Sequence, residues 1–493
     1  MYKDRNILAE ALSNQNEDYW INVGEETTLR LFHEAASRVP AYADFLSKHN
    51  IKHKDIGTFK DFLDYVPVTD KEQYIDQYGI SELYWDGDLT RGSIIAQSSG
   101  TSGRPRVWPR GMAEEARTAL LHDALFAFLF DTYRQKTLFI DCFHLGIHIA
   151  GMITAYAIKT LLDRGMPGSL CTPGLHLEDI ISCIERLSSS FDQTILIGYP
   201  PFLKDVVEKA REKGLPLETY NIKFVFAAES FPEKWRDLLG SLSGTEDIEK
   251  NAINIYGSAD LGFMAHETPF TIGLRRCLLG NSEFSGMFGY ESGFVPPLFQ
   301  YHPWDHFFEE QNGELLCSAD AGIPLLRYNI KDRGMIIPFK DLEQSKFLSP
   351  ELLASPHWRL PVVGLLGRSG QYATIYGLNV FPEHIREILA EDELKIHLSG
   401  KFFMATRYEG VHQILELHLE LIFGRETNEV RKEDLTAHII RYLEALNLEY
   451  KKLRSVVGEK AEPRLWLYEK DAAEFKTNKM KQEYLKKIKQ NEE

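Results

Sequence analysis

The sequence predicts an α/β protein of two domains: a large N-terminal domain over residues 1–366, of mixed, largely parallel sheets flanked by helices, and a small α+β domain over residues 367–493. Three observations predict it. From Ser93 to about Val363, short β-branched or apolar runs alternate with amphipathic helical stretches, the signature of strand–helix–strand units. After Val363 the pattern changes to a glycine-bearing loop, a short strand pair and a helix. A chain of 493 residues also exceeds one ordinary compact domain.

Taken in order, residues 1–92 read as a helical segment, because TLRLFHEAASRVPAYADFLSKHN carries apolar residues at helical spacing and Pro67-Val68-Thr69-Asp70 gives a turn signal. The runs GSIIAQ, TLFIDCF, TILIGY, IKFVFAA and AINIY then read as strands, and LEDIISCIERLSSS and PPFLKDVVEKAREKG as the helices between them. The stretch Gly280 to His302, rich in Gly, Phe and Pro, reads as irregular. The second domain continues through the strands KFFMATRYE and ILELHLELIF, the helix KEDLTAHIIRYLEALN and the strand RLWLYEK. Its basic tail, KTNKMKQEYLKKIKQNEE, is compatible with a solvated terminal helix.

Composition narrows the function classes. With 44% hydrophobic, 26% charged and 12% aromatic residues the chain is globular, and its net charge of −16 argues against a nucleic-acid partner. No stretch approaches the roughly 20 apolar residues of a membrane span, and MYKDRNILAEALSNQNEDYW lacks the apolar core of a signal peptide, so a cytoplasmic location is expected. The five cysteines are odd in number and widely spaced, which speaks against a disulfide framework or a structural zinc site. A metal shared by His266, Cys277 and Cys317 is the alternative to reading these three as separate packed or surface residues.

The strongest local signal is Ser98-Ser99-Gly100-Thr101-Ser102-Gly103, directly after the strand GSIIAQ. Its glycines let the backbone turn sharply toward an anion, while hydroxyls and N–H groups supply donors to phosphate oxygens. It lacks the GK[ST] ending of a Walker A loop, and taken alone its alternative reading is an ordinary Ser/Gly surface loop. Four segments follow in order: Asn254-Ile255-Tyr256-Gly257-Ser258-Ala259-Asp260; Pro324-Leu325-Leu326-Arg327-Tyr328-Asn329-Ile330-Lys331-Asp332; Gly367-Arg368-Ser369-Gly370 with Gly377-Leu378-Asn379-Val380-Phe381-Pro382; and Lys476-Thr477-Asn478-Lys479. Singly, Tyr256-Gly257 reads as a plain strand end and Asp332-Arg333 as a surface ion pair.

This collinear series resembles the adenylate-forming superfamily of acyl-CoA synthetases, luciferases and peptide-synthetase adenylation domains, and within it the phenylacetate–CoA ligase-like branch. The resemblance implies that the small C-terminal domain is mobile and that Ser98 to Gly103 hold the β- and γ-phosphates of ATP. It implies that Ala228, Glu229 and Ser230 lie along the adenine, that Tyr256 stacks near the base beside Gly257 and Ser258, and that Asp332 accepts hydrogen bonds from the ribose. Asp260 takes the place of a glutamate that binds Mg2+, Arg368 lies near ribose and phosphate, and Lys479 contacts the substrate carboxylate and the α-phosphate. Lys476 and Lys481 are alternatives for that lysine. Phe143, His144 and His148 fall where the family has its acyl-pocket segment, although a histidine on an apolar stretch is more often a packed residue. Gly198 and Tyr199 would form another wall.

The departures from the family pattern are specific. Asp260 is shorter than Glu by a methylene, Ala259 lacks a hydroxyl offered to the α-phosphate, and Asn329-Ile330-Lys331 replaces Arg-Thr-Gly. Gly370 stands in the hinge pair, where a glycine accepts large φ/ψ changes cheaply. The reading that follows is ATP-dependent activation of a small-molecule carboxylic acid, aryl or hydrophobic, to an acyl-adenylate. Acyl transfer to a thiol then follows, coenzyme A or that of a carrier protein. The alternatives are an amine acceptor giving an amide, and a non-catalytic nucleotide-binding relative.

Overall fold

The computed structural model describes residues 4–97, 106–146, 149–279, 295–345, 348–368, 372–375, 378–409, 412–427, 430–475 and 484–485. The N-terminal segment folds as the helices Arg5–Asn14, Glu17–Arg38, Pro40–Lys48 and Phe59–Tyr65. The apolar spacing from Thr28 to Asn50 is continuous, yet the chain breaks there into two helices. Pro40 has no N–H to donate and pushes Val39 into an extended conformation (φ −106°, ψ 109°), and then opens the next helix where a missing N–H costs nothing. Asn16 caps the second helix by accepting the Tyr19 N–H, and Thr58 with Asp61 makes a capping box on the fourth. Phe32, Tyr42, Phe45 and Phe62 turn inward from these helices into a core shared with Tyr256, Tyr301 and Tyr328.

The strands β1 (Gly92–Gln97) and β2 (Val107–Gly111) form an antiparallel hairpin. The main sheet is made of β3 (Thr137–Asp141), β4 (Gly168–Cys171), β5 (Gln193–Gly198), β6 (Ile222–Ala227), β7 (Ala252–Ser258), β8 (Gly262–His266), β9 (Leu298–Tyr301), β10 (His306–Gln311), β11 (Glu314–Ala321), β12 (Ile323–Ile337) and β13 (Val362–Arg368). Their order is β10-β11-β12-β13-β9-β8-β7-β6-β5-β3-β4. The stretch β4-β3-β5-β6-β7 is parallel, with helices as crossovers. Every residue of β3 and β5 is buried, as expected of strands covered on both faces. From β7 onward the pairings turn antiparallel through β8, β9 and β13, and through β12, β11 and β10. Leu298–Tyr301, expected to be irregular, is β9, because its apolar residues are buried between β8 and β13.

The chain divides into two compact units, one of Met1–Glu229, Leu239–Leu274 and Leu298–Leu365, the other of Ser230–Leu238, Arg275–Pro297 and Leu366–Glu493. In the second unit, β14 (Ala373–Ile375) pairs with β15 (Leu378–Val380), and β16 (Leu398–Glu409), β17 (His412–Leu421) and β18 (Arg464–Tyr468) form a three-stranded sheet. Alternation sets its faces. Phe402, Met404, Leu415, Leu417, Leu419 and Leu465 point into a core closed by Ile385, Ile388, Leu435, Ile439 and Leu443 of the helices Pro382–Leu389 and Lys432–Leu446. In the same unit, Glu233 is buried among Arg236, Arg275 and Arg276, whose charges hold its carboxyl down at about 2 against the cost of burial. Among the described residues no helix is long and apolar enough to cross a membrane.

Candidate active site

The site grows from the hairpin between β7 and β8. A Cβ on Gly257 would stand 2.7 Å from the Gly262 carbonyl oxygen, so the two strands approach at a distance only glycine permits. Beyond it Ser258 Oγ accepts the Leu261 N–H at 3.0 Å and closes the turn that carries Asp260. Asp260 is 3% exposed. A buried carboxylate needs donors, and two are present: the Tyr328 hydroxyl at 2.7 Å and Lys71 Nζ at 2.8 Å, both on Oδ2. Burial and the Asp260 charge push the Tyr328 phenol well above its ordinary value, so it remains a proton donor at neutral pH.

The second acid is held in the opposite sense. Tyr256, at the end of β7, donates its hydroxyl to Asp332 Oδ2 of β12 at 2.7 Å, while Tyr328 of β12 serves Asp260 after β7. Each motif therefore supplies the phenol that fixes the other motif's carboxylate. The Tyr256 ring is 6% exposed and packs on Phe299 and Phe308.

The N-terminal helical segment reaches this centre. Thr69 lies parallel to β12: its N–H donates to Arg327 O at 3.1 Å, its carbonyl accepts the Asn329 N–H at 2.8 Å, and its hydroxyl donates to Leu326 O at 2.8 Å. That pairing places Asp70 at 3.0 Å from Lys331 and Lys71 on Asp260. Arg327 and Lys331 both adopt the left-handed region (φ 46° and 62°), which costs a non-glycine residue on the order of 1 kcal/mol or more. The guanidinium of Arg327 holds its kink by donating to the carbonyls of Leu63 and Val66, each at 2.7 Å.

Ser98 to Gly103 lie outside the described residues, but the strands that flank them are paired through Gln97 and Val107. Just past them Arg106 forms a two-pronged contact with Asp76 at 2.7 and 2.6 Å. From β2, fully buried Arg110 donates to Ala259 O at 2.5 Å and to Ala321 O at 2.9 Å, and pairs with Glu114. The hairpin is thereby tied to the Asp260 loop. A small apolar cleft of about 20 Å³ lies beside it, lined by Ile94, Ala96, Glu114, Met152, Ile153 and Tyr156. Burial raises the Glu114 carboxyl, whose Oε2 has no hydrogen-bond partner among the described residues.

At the ends of β3 and β5, the rings of Phe143 and Tyr199 meet edge to face at 4.9 Å. A Cβ on Gly198 would come within 3.2 Å of Cys142 Cβ, so the two expected acyl walls are in contact. His144 Nδ1 is bonded to Leu145 O at 2.7 Å. Ala228 takes a left-handed conformation (φ 79°) at the end of β6, and the Glu229 carbonyl accepts the Asn254 amide at 2.8 Å. Ser230 belongs to the second unit, where its hydroxyl meets Arg386 at 3.1 Å. His148, Gly370, Lys479 and the side chain of Arg368 lie outside the described residues.

Lys71, Tyr328, Arg106 and Arg110 do the holding here, and sequence reasoning gave none of them a role. Tyr328 was visible inside a quoted motif; Lys71 follows a turn signal and carries no motif of its own. For Mg2+ the residues fit a site with a single protein carboxylate. Both interactions of Asp260 fall on Oδ2, and Mg2+ is commonly held by one or two carboxylates together with substrate phosphates. The other candidate metal set does not form. His266 is fully buried on Glu267 O and His302, Cys317 is packed in the sheet core and Cys277 is exposed, and no metal-holding group of three or more such residues occurs among the described residues.

No family model matches the chain, and no curated protein matches it in sequence. Solved structures do. The chain is similar to 2-hydroxyisobutyryl-CoA ligase in the postadenylation state in complex with R3-HIB-AMP, with a TM-score of 0.69 at 12% identity over 97% of this chain and 92% of that one. It is similar to the same ligase with 2-HIB-AMP and CoA in the thioesterification state (TM-score 0.54, 13% identity, 97% and 91% covered). It is also similar to the AtGH3.15 acyl acid amido synthetase in complex with 2,4-DB (TM-score 0.60, 14% identity, 94% and 88% covered). A mixed sheet flanked by helices, matched over nearly its whole length by these enzymes, gives the chain the fold of the adenylate-forming enzymes.

Proposed function

We propose that the protein activates a carboxylic acid with ATP, releasing pyrophosphate, and passes the acyl group from the adenylate to a thiol, coenzyme A or that of a carrier protein, in the manner of a phenylacetate–CoA ligase. The observation that carries the reading is the crossed pair of phenol-held carboxylates, Tyr328 on Asp260 and Tyr256 on Asp332, with Lys71 at its edge. The acid's oxygen attacks the α-phosphorus, a new P–O bond forms, and the bond to pyrophosphate breaks with its electron pair leaving on pyrophosphate. Both reactants are anions, so the barrier falls when fixed cations face the phosphates. Lys479 serves as such a cation, Lys71 holds Asp260 in place, Ser98 to Gly103 hold the outer phosphates, and Asp332 orients the ribose. Asp260 would hold Mg2+, which when bound supplies charge neutralisation on the phosphates. Phe143, His144, His148, Gly198 and Tyr199 wall the acid, which is aryl or otherwise hydrophobic. The thiol then attacks the acyl carbon and expels AMP, with the C-terminal domain turning about Gly370 between the two half-reactions.

An amine acceptor is the second reading, favoured by the likeness to an acyl acid amido synthetase. Acid-dependent exchange of labelled pyrophosphate into ATP, run over a panel of aryl and aliphatic acids, tests the first half-reaction. Exchange with at least one acid is expected, and none with any acid leaves a nucleotide-binding protein. Adding CoA, a carrier protein or amines to the active mixture then names the acceptor.

A further inference from the structure

Two basic side chains reach the main chain on either side of Asp260. The Ala259 carbonyl accepts Arg110 Nη2 at 2.5 Å, and the Leu261 carbonyl lies 2.8 Å from His306 Nε2. Leu261 is 1% exposed, so its carbonyl needs a donor from the protein. His306 opens β10 and is buried, and its other ring nitrogen, Nδ1, stands 2.9 Å from Asp305 Oδ2. The N–H groups of Asp305 and His306 both donate to His302 O, at 2.9 and 3.0 Å, in a tight turn just before β10. Asp305 is held from its other side by Arg117 of the helix Met112–Phe130, whose Nε donates to Oδ1 at 2.9 Å. Arg117 Nη2 also donates to Asp320 O at 2.6 Å and to Asp320 Oδ2 at 3.0 Å.

The hydrogens in this chain are set by its acceptors. A carbonyl can only accept. Asp305, with Arg117 on its other oxygen, is ionised: against the cost of burial, the His306 ring and the Arg117 guanidinium hold its carboxyl down at about 2, so it too only accepts. His306 makes both of its contacts only with a hydrogen on each ring nitrogen, as an imidazolium. The neighbouring histidines differ, because His266 and His302 face each other through Nε2 at 3.2 Å and a single hydrogen satisfies that contact. With both nitrogens engaged by the protein, the His306 ring carries no proton to a substrate; it holds the chain. Arg110 lies in β2 and Arg117 in the second turn of the helix that follows, and both also grip the end of β11, at Ala321 O and at Asp320. One stretch of chain therefore reaches the carbonyls on both sides of Asp260, directly at Ala259 and through Asp305 and His306 at Leu261.

We propose that Arg117, Asp305 and His306 are positioning residues for Asp260: the charged His306 ring, fixed by Asp305 and Arg117, holds Leu261 O as Arg110 holds Ala259 O, so that the carboxylate between them is presented to Mg2+ in one orientation. The presentation to Mg2+ rests on the adenylating function proposed above; the hold on the turn does not.

The test begins with imidazole NMR of the full chain carrying 15N-labelled histidine, the His306 signals being assigned by their loss in His306→Gln. Hydrogens on both nitrogens of His306 are expected at neutral pH, and a single ring hydrogen overturns the relay. His306→Gln keeps an N–H within reach of Leu261 O, whereas His306→Leu keeps none. Amide exchange over residues 258–262, measured without nucleotide or metal, should quicken in His306→Leu and stay near native in His306→Gln; equal exchange in all three proteins overturns the hold on the turn. In pyrophosphate exchange His306→Leu should lower kcat by roughly 10- to 100-fold, the worth of one hydrogen bond to a charged group. The KM for the acid should be unchanged, more Mg2+ should be needed for the half-maximal rate, and His306→Gln should recover most of the rate. Equal losses in the two variants, or a raised KM for the acid in place of a lowered kcat, overturn the positioning of Asp260. Should no acid support exchange, the adenylating reading fails, while the ring hydrogens and the amide exchange still decide the hold on the turn. Should His306→Leu not fold, the ring hydrogens of the native protein and the rate of His306→Gln decide it.

Discussion

Replacing Lys71 with Met keeps the length and apolar stem of the side chain and removes only the ammonium. At 2.8 Å from Asp260 Oδ2, with an effective dielectric of about 20, the gross attraction is roughly 6 kcal/mol. Desolvation takes back a large part, and the Lys71 side chain is 25% exposed, so water screens it further. A net coupling of about 2 kcal/mol remains, which corresponds to about 30-fold. The measurement is a double-mutant cycle of Lys71→Met, Asp260→Asn and both together, read as kcat/KM in acid-dependent pyrophosphate exchange and as the thermal midpoint. The pair should be strongly non-additive, because once Asp260 is neutral Lys71 has no carboxylate to hold. Additivity to within about twofold in both readouts, that is about 0.4 kcal/mol, would refute the claim that Lys71 works through Asp260.

Five further outcomes are expected. Tyr256→Phe and Tyr328→Phe each take a donor from a carboxylate, which costs about 1.5–3 kcal/mol, and should lower exchange kcat/KM by roughly 10- to 100-fold with an unchanged far-UV spectrum. Gly257→Ala forces β7 and β8 apart and should lower the thermal midpoint by several degrees, whereas Gly57→Ala, whose Cβ would meet nothing closer than 4.0 Å, should not. Burial depresses His122 and His266 to about 4 and His302 well below its ordinary value, so the stability these neutral rings contribute is present above about pH 6.5 and lost as pH falls toward 4. Burial lifts Asp141 to about 8, so its contribution is full below about pH 4 and is lost as pH rises toward 8; urea titrations should show Asp141→Asn flattening the alkaline arm alone. Lys479→Ala should abolish exchange while ATP still binds in a filter assay; if Lys481→Ala does so instead, the tail lysine is misplaced.

The parallel half of the sheet was legible because β3 and β5 are buried on both faces and read as unbroken apolar runs. The antiparallel half was not. The four residues Leu298–Tyr301 are too short to show a period, and their role as a bridge between β8 and β13 exists only once the distant strands are in place. In the proposed site, the acids Asp260 and Asp332 were singled out by their places in collinear motifs, where a carboxylate after a strand end is visible in one dimension. Their partners are set by pairings across long sequence separations: Tyr328 to Asp260, Tyr256 to Asp332, Lys71 to Asp260 and Arg110 to Ala259. No local spacing encodes such pairs. The helix break at Val39 shows the converse, because Pro40 announces it and the apolar period running through it conceals it.

The first ninety residues are a working part of the proposed nucleotide site, and three independent contacts argue it. Thr69 adds a short parallel edge to β12 at Tyr328, so the phenol that fixes Asp260 is itself positioned by a backbone ladder from the N-terminal segment. Arg327, in its strained conformation, donates to the Leu63 and Val66 carbonyls, which that segment presents. Lys71 then brings the segment's charge to the carboxylate. The aromatic core beneath, in which Phe32, Tyr42 and Phe62 pack with Tyr256 and Tyr328, makes the two parts inseparable: moving the helices moves the rings whose hydroxyls set both acids. The helical segment thus bears on the two carboxylates through the tyrosines, and a substitution at Phe32 or Phe62 reaches them by the same route as one at Tyr328.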